Sequence, residues 1–285
     1  MAAMEEDQRA SEDAVSDEDK AAIIQHLMLN SPPGQLRDVK ADALALVPAG
    51  VVSQPMLAGI CRAYNTANLQ LIPQKNLVLC EEAEIDPTHY LDPSTGDVYA
   101  VDHVSLSAEK TETRVPTAPE VEAERSVVEA ALGKYVRSRY SSANARAAVF
   151  ATDQGDLKIA LSAENLNLRN YWSGNWRSTW TVSLAGAQAS VQGTLKLRAH
   201  YFEDGNVQLQ TTKDVEPSPV SAADLGRAVT DVIEDAETSL QQGLEDMYNN
   251  MTHETFKAMR RIMPITRTKM KWNVYEVALN RNLRK

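Results

Sequence analysis

Between Pro219 and Met251, apolar residues recur every three or four positions: Leu225, Val229, Val232, Ile233, Ala236, Leu240, Leu244, Met247 and Met251. That period predicts one long amphipathic helix ending at Asn249-Asn250. About 31 residues at 1.5 Å each span roughly 46 Å. A stripe of that length needs an apolar surface to lie against, and the preceding residues supply one. In SVQGTLKLRAHYF, Val191, Leu195, Leu197, Ala199 and Tyr201 alternate with Gln192, Thr194, Lys196, Arg198 and His200. Strict alternation is a strand with one apolar face. Trp180, Val182 and Leu184 repeat the pattern before it, and Val207 and Leu209 after it. With DQGD and EDGN as hairpin turns, residues from Ala145 onward read as a five-strand antiparallel meander. Five strands at about 4.8 Å cover only about 24 Å. A helix crossing them would overhang, so either the helix bends or the sheet continues into another chain. Continuation would also cover an open sheet edge, which is otherwise prone to aggregation.

The region before the meander is organised differently. Residues 1–19 hold eight Asp or Glu against one Arg and little apolar bulk, the composition of a disordered acidic leader. Ser16 followed by Asp17, Glu18 and Asp19 has the form of a helix cap with an acidic first turn. Three apolar stripes follow: Ile23, Ile24, Leu27 and Met28; Leu36, Val39, Ala43, Leu44 and Val47; and Met56, Leu57, Ile60, Cys61 and Tyr64. Short turns separate them, the first at Asn30-Ser31-Pro32-Pro33-Gly34. Residues 20–66 are therefore expected as a three-helix up-and-down stalk. From 67 to 118 the runs LQLIP, NLVLC and DVYAVDHV, with a turn at 92–97, predict a small antiparallel β unit. In that reading 105–119 is a loop. A helix follows, with Val121, Glu124, Val127, Val128, Ala131, Leu132, Tyr135 and Val136 on its stripe. Together with the meander and the long helix it makes up a body over 119–251, and the fold class is α+β.

Charge is distributed very unevenly. The net charge is -10, yet from Phe256 to Lys285 there are nine Lys or Arg and one Glu. That segment is about +8 and residues 1–255 about -18. The acidic balance argues against general nucleic-acid binding. Cys61 and Cys80 lack a Cys-x-x-Cys spacing, no N-terminal apolar run resembles a signal peptide, and no stretch has the roughly 18 apolar residues of a membrane span. A reduced, intracellular protein without a transmembrane segment is expected.

Candidate chemistry is sparse. Trp172, Trp176 and Trp180 could stack sugars or bases, but Trp176 and Trp180 are an even number of residues apart in an alternating strand, which favours core or subunit packing. Asn175 and Arg177 could fix the preceding loop. His200, Glu203 and Asp204 have suitable types for a metal or acid–base site, yet His200 and Glu203 fall on opposite strand faces and Glu203 and Asp204 belong to the turn. There is no phosphate-cradling glycine motif, no HExxH and no nucleophile elbow. Neither an enzyme nor a cofactor is expected.

The stretch FKAMRRIMPITRTKMKW, residues 256–272, carries six basic side chains and no acid. Lys257, Arg260 and Arg261 fall at i, i+3 and i+4, on one face of a helix starting near Thr252. Pro264 ends or kinks that helix. Arg267, Lys269 and Lys271 then alternate with Thr268, Met270 and Trp272, as in an extended segment with one charged edge. Trp272, Tyr275, Leu279 and Leu283 form a short amphipathic stripe. Six unpaired cations exceed what a helix C-terminus needs, so residues 252–285 read as a binding tail for an acidic partner. On charge alone, an acidic protein, an anionic lipid surface and a nucleic acid all remain open.

Four stretches narrow the choice. SPPGQL (31–36), YWSGNWRSTWTV (171–182), AHYFEDGNVQL (199–209) and FKAMRRIMPITRTKMKW (256–272) resemble the α subunits of F-actin capping proteins, over roughly Ile23 to Trp272. Gln35 stands where that family usually has Glu, and Lys271 where it has an acid or Asn. The resemblance implies a heterodimer whose α and β subunits join their sheets into ten strands, about 48 Å at 4.8 Å each. It implies that the dimer binds the barbed end of an actin filament and blocks subunit gain and loss. The family's actin-contacting basic residues fall on Lys257, Arg261, Arg267 and Lys269. Arg260 and Lys271 join them by charge, and Trp272, Tyr275 and Leu279 by the apolar stripe. Acidic phosphoinositides and capping-protein regulators are the further implied partners, in the cytoplasm and cytoskeleton.

Overall fold

The computed structural model describes residues 15–72, 75, 77–114, 119–141, 143–184, 188–203 and 206–251. The residues form two compact units that divide after Val232. The first unit opens with three helices, α1 (Asp17–Leu29), α2 (Leu36–Ala45) and α3 (Gln54–Ala67). Helix α1 starts inside the stretch expected as leader, because the Ser16 side chain accepts a hydrogen bond from the Asp19 amide and caps it. Ser53 caps α3 in the same way, with Pro55 in its first turn. Ile24, Met28, Ala43, Leu57, Ile60 and Cys61 form the helical core. Ile23 and Leu27, expected on the same stripe, are half exposed.

The small β unit differs from expectation. Among the described residues LQLIP and NLVLC contribute an isolated bridge, Leu71 to Val78, and no strand. The sheet is instead β1 (Glu84–Asp86), β2 (His89–Leu91), β3 (Asp97–Asp102) and β4 (Ser107–Thr113), antiparallel and in sequence order. Strand β4 occupies the expected loop. Its sequence SAEKTET has no apolar alternation to betray it, since nearly every residue is exposed. It is held by its backbone ladder to β3 and by Lys110 and Thr113, both bonded to the Asp97 carboxylate at 2.8 Å.

Helix α4 (Glu122–Arg139) leads into the five-strand sheet: β5 (Asn144–Ala151), β6 (Leu157–Asn167), β7 (Trp172–Ser183), β8 (Ala189–Tyr201) and β9 (Val207–Val220). All neighbours are antiparallel and consecutive, as the meander pattern requires. The two faces have different cover. Ala148, Phe150 and Ala160 on one face pack with Leu69, Leu71, Leu79, Tyr90 and Val101 of the small β unit and its approach. On the other face lie Val149, Ile159, Leu161, Trp180, Val182 and Leu195, all essentially buried. Trp180 sits against Gly193, where a Cβ would come within 2.6 Å of the Thr179 carbonyl oxygen, so only glycine fits beneath the ring. Arg125 anchors α4. Its guanidinium bonds Glu122, Glu129 and the Val149 carbonyl, and its side chain is 7% exposed. Val127, placed on the apolar stripe by periodicity, is 53% exposed.

Strand β9 runs on through Pro219 to Val220, so the last helix, α5 (Leu225–Asn250), begins at the first residue of its stripe rather than near Pro219 and has 26 residues, about 39 Å. Leu225 and Val229 are buried within the first unit. In the second unit, Ile233, Ala236 and Glu237 are buried and Tyr248 is 53% exposed. Among the described residues no helix is long and apolar enough to cross a membrane.

Candidate functional site

The residues singled out for binding, Lys257, Arg260, Arg261, Arg267, Lys269, Lys271, Trp272, Tyr275 and Leu279, lie outside the described residues, as does the expected turn pair Asp204-Gly205. The other three characteristic stretches come together in one place, the joint between the helical stalk and the large sheet. At Gly34 (φ +74°) a Cβ would meet the Leu166 side chain 2.8 Å away, so the SPPG turn lies directly on the end of β6. Gln35 Nε2 is 2.6 Å from His200 Nδ1 on β8 and 3.4 Å from Ser173 Oγ on β7. His200 Nε2 in turn lies 3.0 Å from Asn206 Oδ1. Tyr64 of α3 donates to the Ser31 and Pro32 carbonyls.

Two arginines complete the joint. Arg177 of β7 donates from Nη1 to the Ala67 carbonyl and to Asn68 Oδ1, each at 2.7 Å, which ties the end of α3 to the sheet. Arg198 of β8 donates to the Asn30 carbonyl at 3.0 Å. Glu164 of β6 accepts from Gln70 Nε2 at 2.7 Å. Burial dominates their electrostatics. It pushes the Glu164 carboxyl up to about 7, against the opposing pull of the Gln70 bond and of Arg177. It brings Arg177 down to about 10, helped by the like charge of Arg198. Tyr64 is raised to about 12 by burial.

In this arrangement His200 is committed to the joint, and Asp204 lies outside the described residues. His200 is buried and occupied by two amide side chains, while Glu203 accepts from the Tyr201 hydroxyl at 2.6 Å. Among the described residues no group of three His, Cys, Asp or Glu is placed to hold a metal. Cys61 and Cys80 are buried free thiols, both raised chiefly by burial. Trp172, Trp176 and Trp180 share the face opposite Arg177, and Trp180 is 1% exposed, which makes it core. Arg198, Gln70 and Asn68 were missed as joint residues, because polar residues at a strand or helix end carry no periodic signal.

A second feature is the outer edge of β9. It has 14 residues, is paired to β8 on one side, and is half or fully exposed at every position except Val220. The orientation of its amides follows from the register. The Phe202 amide donates to the Tyr171 carbonyl, so even-numbered β8 residues near it face β7 and odd-numbered ones face β9. Gln208, Gln210 and Thr212 pair with even-numbered β8 residues and therefore turn their N–H and C=O groups outward. A bulge opposite Gln192 then shifts the phase, and Pro217 and Pro219 occupy positions that need no N–H towards β8. Among the described residues no strand pairs with the outer side of Gln208 to Asp214, and Pro217 and Pro219 stand beyond its far end.

The family model described as "F-actin capping protein alpha subunit" matches residues 24–282. A protein from Dictyostelium discoideum named F-actin-capping protein subunit alpha is 30% identical, over 90% of this chain and 94% of its own. A Chaetomium thermophilum protein of the same name is 31% identical, over 88% and 90%. Among solved structures, one titled homodimeric actin capping protein alpha subunit from Plasmodium berghei shares the fold with a TM-score of 0.71, at 23% identity, over 86% of this chain and 97% of its own. The chain belongs to the F-actin capping protein α-subunit family.

Proposed function

We propose that this chain is the α half of a capping protein that binds the barbed end of actin filaments and blocks subunit addition and loss without severing. It acts by occupancy, with no bond chemistry and no cofactor, in the cytoplasm at the cytoskeleton. The observation that carries this reading is that the family match runs on to residue 282 and so includes the basic stretch 256–272. Lys257, Arg261, Arg267 and Lys269 supply the charge that meets the acidic filament end. Arg260 and Lys271 add to it, and Trp272, Tyr275 and Leu279 supply the apolar grip. Charge speeds encounter and apolar burial slows release, and both favour a long-lived cap. Acidic phosphoinositides would compete for the same cations.

The partner is a β subunit that continues the sheet. Support comes from the outer edge of β9, which no strand among the described residues covers. The expected outcome of co-expression with a β subunit is a soluble 1:1 heterodimer. A soluble homodimer formed without it would replace that assignment by the arrangement named in the Plasmodium berghei title. Reversing charge at Lys257→Glu and Arg261→Glu should weaken barbed-end capping by at least about tenfold in an elongation assay, some 1.4 kcal/mol, and leave heterodimer formation intact. Normal capping by the purified double variant would remove these residues from the site. Liposome binding without any effect on filament growth would favour a phospholipid-binding adaptor instead.

A further inference from the structure

Glu164 closes the joint between the stalk and the large sheet from the β6 side. It is 8% exposed and accepts a hydrogen bond from Gln70 Nε2 at 2.7 Å. Gln70 lies in the exit from α3, where the Asn68, Leu69 and Gln70 amides donate to the Tyr64, Thr66 and Asn65 carbonyls. The Glu164 bond therefore pins that exit to β6. Asn175 of β7 stands directly opposite Glu164 in the ladder, on the same face, with about 5 Å between the Cβ atoms. Its Oδ1 is buried and accepts no hydrogen bond among the described residues. A carboxylic acid at 164 can accept from Gln70 on one oxygen and donate to Asn175 Oδ1 from the other. A carboxylate can only accept, and it sets two acceptors against each other.

The charged and titratable groups around Glu164 are engaged elsewhere. Arg177 of β7, diagonal to it in the ladder, holds the Ala67 carbonyl and Asn68 Oδ1. Arg198 of β8, in the same row beyond Asn175, holds the Asn30 carbonyl. Arg146 of β5, diagonal on the other side, is exposed and bonds the adjacent Ala145 carbonyl. His200 of β8 is shared between Gln35 and Asn206, and Tyr64 of α3 is kept neutral by burial. None of the three arginines is in an ion pair among the described residues. Burial outweighs the Gln70 bond and the attraction of Arg177, and pushes the carboxyl up to about 7. An acid raised in this way is at ease in the closed joint while protonated. Once ionised, it favours any opening that returns it to water. The closed joint is therefore most favoured below about pH 4.5 and loses ground as pH rises through 7.

We propose that Glu164 is a proton-operated latch for the stalk: with its proton on, it clasps the exit of α3 to β6 and β7, and with its proton off, residues 65–70 open from the sheet so that the carboxylate reaches water. The latch belongs to the joint and is independent of the capping assignment. The test is amide hydrogen exchange on the full chain, in whatever assembly it purifies, at pH 6, 7 and 8, with each rate corrected for the intrinsic pH dependence of exchange.

With the freed carboxyl titrating at its ordinary 4.5, opening at the Asn68, Leu69 and Gln70 amides should become about tenfold more frequent between pH 6 and pH 8. Low urea should leave their exchange unchanged, the mark of a local opening that exposes little surface. Glu164→Gln, the same shape without the titrating proton, should keep these amides equally protected at all three pH values. Asn175→Ala, which removes the acceptor of the protonated form, should move the rise to lower pH. Flat protection in the wild type overturns the proposal, as does the same rise in Glu164→Gln. If the three amides follow urea as the β8–β9 ladder does, the proton acts on global unfolding alone and there is no latch. An unchanged midpoint in Asn175→Ala overturns the part given to Asn175.

Discussion

Glu164 shows what burial does to a single ionisable group in the joint. It is 8% exposed, bonded to Gln70 and within reach of Arg177, yet its carboxyl titrates near 7 because desolvation outweighs both. An acid whose pKa is higher folded than unfolded opposes folding once ionised. The stability of the wild type relative to Glu164→Gln should therefore be greatest below about pH 4.5 and fall as pH rises through 7. The relative loss between pH 5 and pH 8 is expected to be about 2 kcal/mol in urea unfolding. A pH-independent difference would mean that Glu164 stays ionised throughout. At Gly193 the limit is steric. Gly193→Ala places a methyl group against the Trp180 ring and the Thr179 carbonyl, and should lower stability by about 1–3 kcal/mol in the same measurement.

Elements differ in how much of their position the sequence reveals. The α5 stripe and the β7–β8 alternation are legible because apolar residues keep the period of the backbone where one face is buried, as at Leu225, Val229 and Ile233 and at Trp180, Val182, Val191 and Leu195. Strand β4 is invisible to that test, since its stability comes from backbone pairing and the Asp97 contacts, which have no period. Helix α4 lies between these cases. Val128, Leu132, Tyr135 and Val136 mark its buried face, but that face also includes Arg125, a residue type that usually signals solvent, which bonds the Val149 carbonyl of β5. The Glu122 carboxyl is held below its usual range by the Arg125 bond. Arg125→Met should cost about 1–3 kcal/mol in urea unfolding, because the Val149 carbonyl loses a donor and two half-buried carboxylates lose their counterion. No loss would mean the pairs are offset by their desolvation. The joint was only half legible for the same reason: SPPGQL and AHYFEDGNVQL stood out as characteristic stretches, whereas their meeting through Gln35 and His200 is a long-range fact that no local pattern encodes.

For the molecule as a whole, the open question posed by the sequence was how a long helix and a narrow sheet fit in one chain. The β9 edge makes the answer testable without disturbing the fold. Adjacent residues on β9 point their amides in opposite directions, Gln210 outward and Thr211 towards β8. Proline removes one N–H and needs an extended backbone, which an edge strand supplies. Gln210→Pro should therefore leave the β8–β9 ladder and the fold intact while removing a donor from the free edge. Thr211→Pro breaks the ladder itself and should lower stability. If the β subunit continues the sheet along this edge, Gln210→Pro weakens heterodimer assembly by about tenfold or more in analytical ultracentrifugation, with unchanged circular dichroism. Unimpaired assembly by Gln210→Pro would move the partner away from β9. The other outer strand, β5, would then have to carry it, and β5 is shorter and already has Arg125 of α4 bonded to its Val149 carbonyl.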